Sequence, residues 1–153
     1  AALTKRLDRW VFVLSAGAPE RVIADQIMSH LISRQVPVAI CPPQHLADYV
    51  HDIAAADAFM AGSTGPLHIA GALDVPTIGF YPLRRSATAL RWQTLNSPKR
   101  RLAISPTSAM PNPETFEAMD IEAVAQQIAN WLQPRGSELA DQPLVDSNEP
   151  IGI

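Results

Sequence analysis

Short runs of apolar residues recur along the chain and alternate with segments whose apolar residues are three or four positions apart. The first run, WVFVLS at residues 10–15, is continuously apolar and rich in β-branched and aromatic side chains. That pattern is typical of a short parallel strand buried on both faces. Similar runs predict four further strands, at residues 36–41, 57–61, 75–81 and 101–105.

Amphipathic helices are predicted between and after these strands. Pro19 lies in the first turn of one helix, where proline is well tolerated, and residues 44–56 and 66–73 form two more. Asp120 is the predicted N-cap of a last helix that ends at Leu132. The apolar stripes of these helices are formed by Ile23, Ile27 and Leu31, then by Leu46, Tyr49, Val50 and Ile53, and finally by Ile121, Val124, Ile128 and Trp131.

Strands that alternate with helices at this spacing predict βαβ units and an α/β fold. We expect a Rossmann-like parallel sheet with helices on both faces, built by right-handed crossovers. Ligands of such sheets bind beyond the carboxyl ends of the strands, which here carry the loops 15–20 and 62–66. Residues 1–133 are the predicted domain, and the polar, aperiodic residues 134–153 are interpreted as a flexible tail.

Composition narrows the function classes. The chain has 153 residues, 47% of them hydrophobic, and a net charge of −3, which argues against general nucleic-acid binding. Its single cysteine, Cys41, cannot form an intramolecular disulfide and is interpreted as a buried residue at a strand end. The four histidines have no metal-ligand spacing, so a metal site is not expected. No other cofactor is expected either. No apolar run approaches the ~18 residues of a membrane span.

The turn GSTGP, at residues 62–66, is unusually polar for its apolar surroundings. Gly62 and Gly65 permit a ligand to approach the backbone closely, and Ser63 and Thr64 offer two hydroxyl groups. The unpaired N–H groups of the following helix, together with its dipole, suit an anion such as a phosphate. His68 lies one turn further on. Local chemistry equally allows a plain N-cap by Thr64 or Ser63 and a core histidine.

A longer segment carries a resemblance to a known family. The stretch DAFMAGSTGPLHIAGALDVPTIGFYP, residues 57–82, is similar to glycosyltransferase family 9, the ADP-heptose:lipopolysaccharide heptosyltransferases. That family shows an apolar strand, a Gly-x-(Asp/Ser)-(Thr/Ser)-Gly-Pro turn, a helix that begins Met/Leu-His, and a Val-Pro-Thr strand. Weaker similarity extends over residues 11–132. The resemblance implies that the chain is the C-terminal half of a two-domain GT-B glycosyltransferase and that the first strand of this domain, which would precede residue 1, is missing.

The resemblance also implies roles for particular residues. Ser63, Thr64, Gly65 and His68 would lie at the pyrophosphate and sugar of the donor. Glu20, in SAGAPER, resembles a family glutamate that accepts hydrogen bonds from the nucleoside ribose. Without the resemblance, Glu20 is equally explained as a favourable charge at a helix N-terminus. Many relatives carry an aspartate at the position of Ser63, and that aspartate contacts the donor sugar. Because this chain has serine there, the resemblance leaves the donor sugar open, as heptose or another sugar.

A basic segment follows the fourth predicted strand. Arg84 and Arg85 follow the end of that strand, and their guanidinium groups suit the phosphates of an acceptor in an interdomain cleft. The alternative is a solvated basic loop, and we interpret Lys99, Arg100 and Arg101 in that way. Trp92 is interpreted as an aromatic residue that anchors the loop, in preference to a platform for a sugar.

Together these features predict the donor-binding domain of an inverting glycosyltransferase. The expected partners are a nucleotide-diphosphate sugar such as ADP-heptose, a lipid-linked oligosaccharide acceptor of the lipopolysaccharide core, and a missing N-terminal domain. That domain would supply the general base, so this fragment alone is expected to be inactive and no catalytic residue is assigned. The expected location is cytoplasmic, peripheral at the inner face of the inner membrane. The alternatives are a non-catalytic nucleotide- or sugar-phosphate-binding module and a Rossmann-like domain without a ligand.

Overall fold

A computed structural model describes residues 2–3, 6–7, 10–42, 45–83, 89–107, 112, 114–117 and 119–140, with only the backbone described for 134–140. Arg84, Arg85 and residues 141–153 of the predicted tail lie outside the described residues. Two short 3-10 turns cover Ala18–Glu20 and Pro98–Arg100. The main elements are β1 (Phe12–Leu14), α1 (Arg21–Ile32), β2 (Val38–Ile40), α2 (Leu46–Ala54), β3 (Phe59–Gly62), α3 (Gly65–Ala72), β4 (Thr77–Phe80), α4 (Ala89–Trp92), β5 (Arg101–Ile104) and α5 (Ile121–Ala140).

All five strands pair in parallel, and each lies within or beside its predicted apolar run. β1 pairs with β2 in register Phe12 to Val38, while β4 lies between β3 and β5. Each of the first four strands is followed by a helical segment that leads to the next strand, and α5 follows β5. The predicted Rossmann-like α/β fold is therefore confirmed.

The predicted single sheet is divided into two. One sheet has the order β1-β2 and the other the order β3-β4-β5, so β1 and β3 each end a sheet within the described residues. The two sheets nevertheless share packing partners, because Phe12 of β1 and Ala58, which precedes β3, both pack against the core cluster that contains Ile128 of α5. The sheets thus share one core cluster, without a hydrogen-bonded ladder between them within the described residues.

Helices cover both faces of the three-stranded sheet. Ile78 and Phe80 of β4 pack with Ile128 and Leu132 of α5 in one cluster. Phe59 of β3 packs in a second cluster, with residues of α2 and α3. The second cluster reaches β1 as well, because the Ser15 hydroxyl at the end of β1 is 2.8 Å from the hydroxyl of Tyr49, which packs against that cluster.

Some predicted inward-facing residues are exposed. Ile53, Ile128 and Leu31 are buried as predicted, but Ile23 and Ile27 of α1 are not. The reason is that α1 packs against β2, in a two-stranded sheet too narrow to cover the whole apolar stripe of the helix. Leu46 and Ile121, each the first residue of its helix, are exposed as well.

The last helix begins as predicted and ends later. Oδ1 of Asp120 accepts hydrogen bonds from the backbone N–H groups of Glu122 (3.0 Å) and Ala123 (3.1 Å), which confirms the predicted N-cap. The helix then continues to Ala140, past the predicted end at Leu132. The boundary of a flexible tail at residue 134 stays a prediction. Every described helix is too short or too polar to traverse a bilayer.

Candidate functional site

The turn after β3 leaves the start of α3 uncapped by any side chain. Thr64 occupies the N-cap position with an extended backbone, and its carbonyl accepts the first intrahelical bond, from the N–H of His68 at 3.3 Å. The Thr64 hydroxyl, however, donates to the carbonyl of Gly62 at 3.3 Å and not to the helix. The predicted side-chain cap is therefore wrong, because this hydroxyl turns back to the strand end. The first-turn N–H groups stay available for another acceptor.

Open space lies beside both glycines of the turn. A Cβ atom built on Gly62 or on Gly65 would meet no other atom within 4 Å. Neither glycine has a positive φ, so backbone conformation does not explain their presence. The space in front of the helix start is large enough for a ligand to reach the backbone, as a phosphate does at other helix N-termini.

His68 carries an unsatisfied polar atom one turn into α3. Its Nε2 is buried and has no hydrogen-bond partner among the described residues. Buried polar groups in folded proteins almost always have a partner, so such an atom needs an explanation. The imidazole ring also packs edge to face with the indole of Trp92, at a centroid distance of 6.1 Å. The alternative of a core histidine whose ring nitrogens are both hydrogen-bonded does not describe this arrangement.

Trp92 does not fill the interior. It is half exposed and packs its ring on His68, at the end of α4. The two residues are far apart in sequence, and no local signal predicts that they meet.

Glu20 lies on the other loop, after β1. It ends the 3-10 turn Ala18–Glu20 and is the N-cap residue of α1, where its side chain makes no capping hydrogen bond. Its carboxylate folds back over the loop, since Oε2 would be 2.8 Å from a Cβ atom on Gly17. The side chain is exposed. Glu20 therefore makes no capping hydrogen bond, its place at the N-terminus of α1 still makes its charge favourable there, and its carboxylate is accessible to a ligand.

The structure groups five of the predicted site residues at the start of α3. Gly62, Thr64 and Gly65 surround the start of α3, with Ser63 half-buried between them and His68 one turn further along the helix. Glu20 follows β1, which belongs to the other sheet. Arg84 and Arg85 lie outside the described residues, so their predicted role at an acceptor stays a prediction.

A buried polar network, which the sequence analysis missed, holds the segment that follows α4. The hydroxyl of Thr94 donates to Oδ1 of Asn96 at 2.6 Å and lies 2.9 Å from the hydroxyl of Thr77 in β4. Nδ2 of Asn96 donates to the carbonyls of Val75 (2.9 Å) and Arg100 (2.8 Å). The network fixes residues 94–96, and with them the adjacent Trp92, beside α3. The two polar residues that this loop contributes, Thr94 and Asn96, give no sequence pattern that distinguishes them from solvated residues.

Two of the cations that the sequence predicts to be solvated, Arg100 and Arg101, are instead bound within the fold. Nη1 of Arg101 donates to the carbonyls of Thr94 and Asn96, both at 2.9 Å, and so closes the same loop. Nε of Arg100 donates to the Asp74 carbonyl at 2.8 Å and lies 3.2 Å from its carboxylate. Both arginines therefore support the fold at the base of the loop.

A cavity beneath this loop is not the candidate site. It has a volume of about 120 Å³ and is lined by Tyr81, Thr94, Arg101 and neighbouring residues of β5. Ligand pockets usually measure about 300–1,000 Å³, so a nucleotide sugar does not fit. Burial raises the pKa of the Tyr81 hydroxyl, and the Arg101 charge lowers it in part. The open surface at α3 is the better candidate.

No group of three or more potential metal ligands occurs among the described residues. Sγ of Cys41 donates to Oδ2 of Asp52 at 3.3 Å, and the side chain is half-buried instead of fully buried as predicted. The pKa of this thiol is raised, mainly by burial and to a smaller extent by the hydrogen bond to Asp52 and the charge of Asp52.

Comparisons with known proteins identify the family of the chain. The sequence model of glycosyltransferase family 9 (heptosyltransferase) matches residues 1–119. A Haemophilus influenzae protein named "Putative glycosyltransferase" is 34% identical over 122 residues, which are 79% of this chain and 35% of that protein. The chain thus spans about a third of the length of this relative. No solved structure matches the chain significantly. Since the family match covers most of its length, the chain belongs to glycosyltransferase family 9.

Proposed function

We propose that this chain is the donor-binding half of an inverting glycosyltransferase that takes its sugar from a nucleotide-diphosphate sugar. The observation that carries the proposal is the start of α3, where no side chain caps the helix and both flanking glycines face open space. A diphosphate bound there accepts hydrogen bonds from the free N–H groups and interacts favourably with the helix dipole.

The same geometry suits the chemistry of sugar transfer. As the glycosidic bond of the donor breaks, negative charge grows on the departing diphosphate. Fixed N–H dipoles at the start of α3 stabilise that growing charge more than they stabilise the bound donor, and so they lower the barrier. The hydroxyls of Ser63 and Thr64 lie on the same turn and add donors by small side-chain rotations. Nε2 of His68 would gain its partner from the bound donor.

Two further contacts belong to the proposal. The exposed carboxylate of Glu20 accepts hydrogen bonds from the ribose hydroxyls of the nucleotide, consistent with its lack of a capping role. Arg84 and Arg85 bind phosphates of the acceptor. We propose ADP-heptose as the donor and a lipid-linked oligosaccharide of the lipopolysaccharide core as the acceptor, in line with the heptosyltransferase description of the family.

The rest of the acceptor site and the general base belong, in this proposal, to polypeptide outside residues 1–153. The relative from Haemophilus influenzae is about three times as long as the segment it shares with this chain. The break between β1 and β3 also supports a contribution from further polypeptide, since a single parallel strand between them would join the two sheets. Slower hydrogen exchange at the β1 and β3 amides in a longer protein than in this chain would support the inserted strand, and equal exchange would contradict it.

Isothermal titration calorimetry tests the donor-binding proposal. The full-length enzyme is titrated with ADP, ADP-heptose and UDP-sugars, and the same is done for Gly65→Ala. The new methyl group has room in the free protein, so folding is unaffected, but it occupies the space in front of the helix start. We expect at least a tenfold loss of affinity for ADP and ADP-heptose, because the methyl group displaces the diphosphate from the N–H groups.

Ser97→Ala provides the matched control. Ser97 precedes the second 3-10 turn, is exposed and makes no capping hydrogen bond. It should leave both affinity and melting temperature unchanged. Failure of every nucleotide to bind at millimolar concentration, or equal affinity in Gly65→Ala and the parent, would contradict the proposal. Donor binding without any sugar transfer would instead indicate a non-catalytic nucleotide-binding module.

A further inference from the structure

Positive charge is concentrated in one part of this acidic chain. Residues 75–113 contain six of the twelve lysines and arginines and none of the fifteen acidic residues. The rest of the chain is therefore strongly acidic, and the net charge of −3 hides the asymmetry. Segments with this character attract anionic surfaces over roughly a Debye length, about 10 Å at 0.1 M salt.

The described part of this segment forms one ridge along α3. Trp92 contacts His68 near the start of the helix, and Thr94 lies against Gly71 near its end, where a Cβ atom on the glycine would be 2.5 Å from Cβ of Thr94. Arg100 is bound to Asp74, just beyond α3. Residues 89–100 thus cross the molecule beside α3, with one side against the helix and the other facing outward.

In part of this ridge polar side chains are buried and apolar side chains are exposed, which is the opposite of the usual arrangement at a protein surface. Thr94 and Asn96 point inward and are only 2% and 4% exposed, whereas Leu95 between them is 85% exposed. Leu90 is also 85% exposed and Trp92 46%. The hydrogen bonds of Thr94 and Asn96 hold this register, so the leucine cannot turn inward without breaking them. Arg91, exposed as well, adds positive charge between the two leucines.

We propose that this ridge, residues 89–100, docks on a lipid bilayer that carries anionic headgroups. Exposed leucines and a tryptophan next to arginine and lysine are the composition of protein segments that lie in the membrane interface. The lack of carboxylates within residues 75–113 fits an anionic surface better than a protein partner of mixed charge. The apolar side chains enter the headgroup region and the exposed Arg91 contacts the phosphates, whereas Arg100 stays bound to Asp74. This inference does not depend on the sugar donor or on catalysis.

Vesicle co-sedimentation tests the proposal with the chain itself. The probes are vesicles of phosphatidylcholine alone and of phosphatidylcholine with 30% phosphatidylglycerol. We expect binding to the anionic vesicles, weaker binding to the neutral ones, and loss of most binding in high salt. The variant L90S/L95S should lose at least about tenfold in affinity, since two exposed apolar side chains no longer enter the bilayer. Arg91→Gln should lose about fivefold.

The matched control is I23S/I27S on α1. These isoleucines are also exposed, at 58% and 44%, but they lie outside the acid-free segment. The control should bind vesicles like the parent, and L90S/L95S should keep the parent's affinity for ADP, which separates this proposal from donor binding. No binding to anionic vesicles, equal binding to neutral ones, or equal losses in both double variants would overturn it. So would a dimer that disappears in L90S/L95S while vesicle binding is unchanged.

Discussion

Replacement of Asn96 by alanine should destabilise the chain by about 4 kcal/mol. The side chain is buried and links three parts of the protein: the entry to β4 through the Val75 carbonyl, the entry to β5 through the Arg100 carbonyl, and the hydroxyl of Thr94. Alanine removes all of these bonds, and no neighbouring group in the described structure replaces them.

The magnitude follows from the burial of each partner. A buried group left without a partner costs about 1–3 kcal/mol, so the Val75 carbonyl contributes about 2 kcal/mol and the less buried Arg100 carbonyl about 1 kcal/mol. The vacated volume adds about 1 kcal/mol. Thr94 adds little, because its hydroxyl still has Thr77 at 2.9 Å. Small domains are stable by only about 5–15 kcal/mol, so this loss is a large fraction of the total.

Urea denaturation followed by circular dichroism measures the effect, and the melting temperature should fall by about 8–16 °C. The exposed Asn112 is the control, since Asn112→Ala should change the free energy of unfolding by less than about 0.5 kcal/mol. A loss below about 1 kcal/mol for Asn96→Ala would refute the network as the support of residues 94–96.

Three further outcomes are expected. Gly71→Ala should destabilise the chain by about 1–2 kcal/mol in urea denaturation, because overpacking against Thr94 exceeds the gain in helix propensity; an unchanged midpoint would show that α3 and the ridge are not packed together. Asp120→Ala should cost about 1 kcal/mol and Asp120→Asn much less, and equal losses would exclude the N-cap. Because the pKa of the Cys41 thiol is raised, alkylation of Cys41 should reach half its maximal rate above pH 9.0, and a midpoint at or below 9.0 would refute this. The variant Asp52→Asn removes the charge that helps to raise this pKa, so its alkylation at pH 8 should be faster than that of the parent.

Features that depend on neighbours in sequence could be predicted. The five strands follow from short apolar runs, and the N-cap at Asp120 follows from an acidic residue just before an apolar stripe. The resemblance of residues 57–82 to glycosyltransferase family 9 is confirmed by the family match.

Features that depend on distant parts of the chain could not be predicted from the sequence. Periodicity identifies the apolar face of α1, but not whether a layer covers it, so the exposure of Ile23 and Ile27 was not foreseen. The Thr64 hydroxyl could reach either the helix or the Gly62 carbonyl, and the sequence does not distinguish two acceptors so close together. The contact between His68 and Trp92 depends on how a loop crosses α3, which no local pattern encodes.

The central claim is that a diphosphate binds the uncapped start of α3, and a titration of the isotopically labelled chain with ADP tests it most directly. Backbone amide resonances are followed by NMR. We expect the largest shifts at the amides of Gly65 and Leu67, together with a change at the side-chain nitrogens of His68, while the Arg101 amide beside the small cavity stays unchanged. Saturation by ADP with no shift at Gly65 or Leu67 would contradict it.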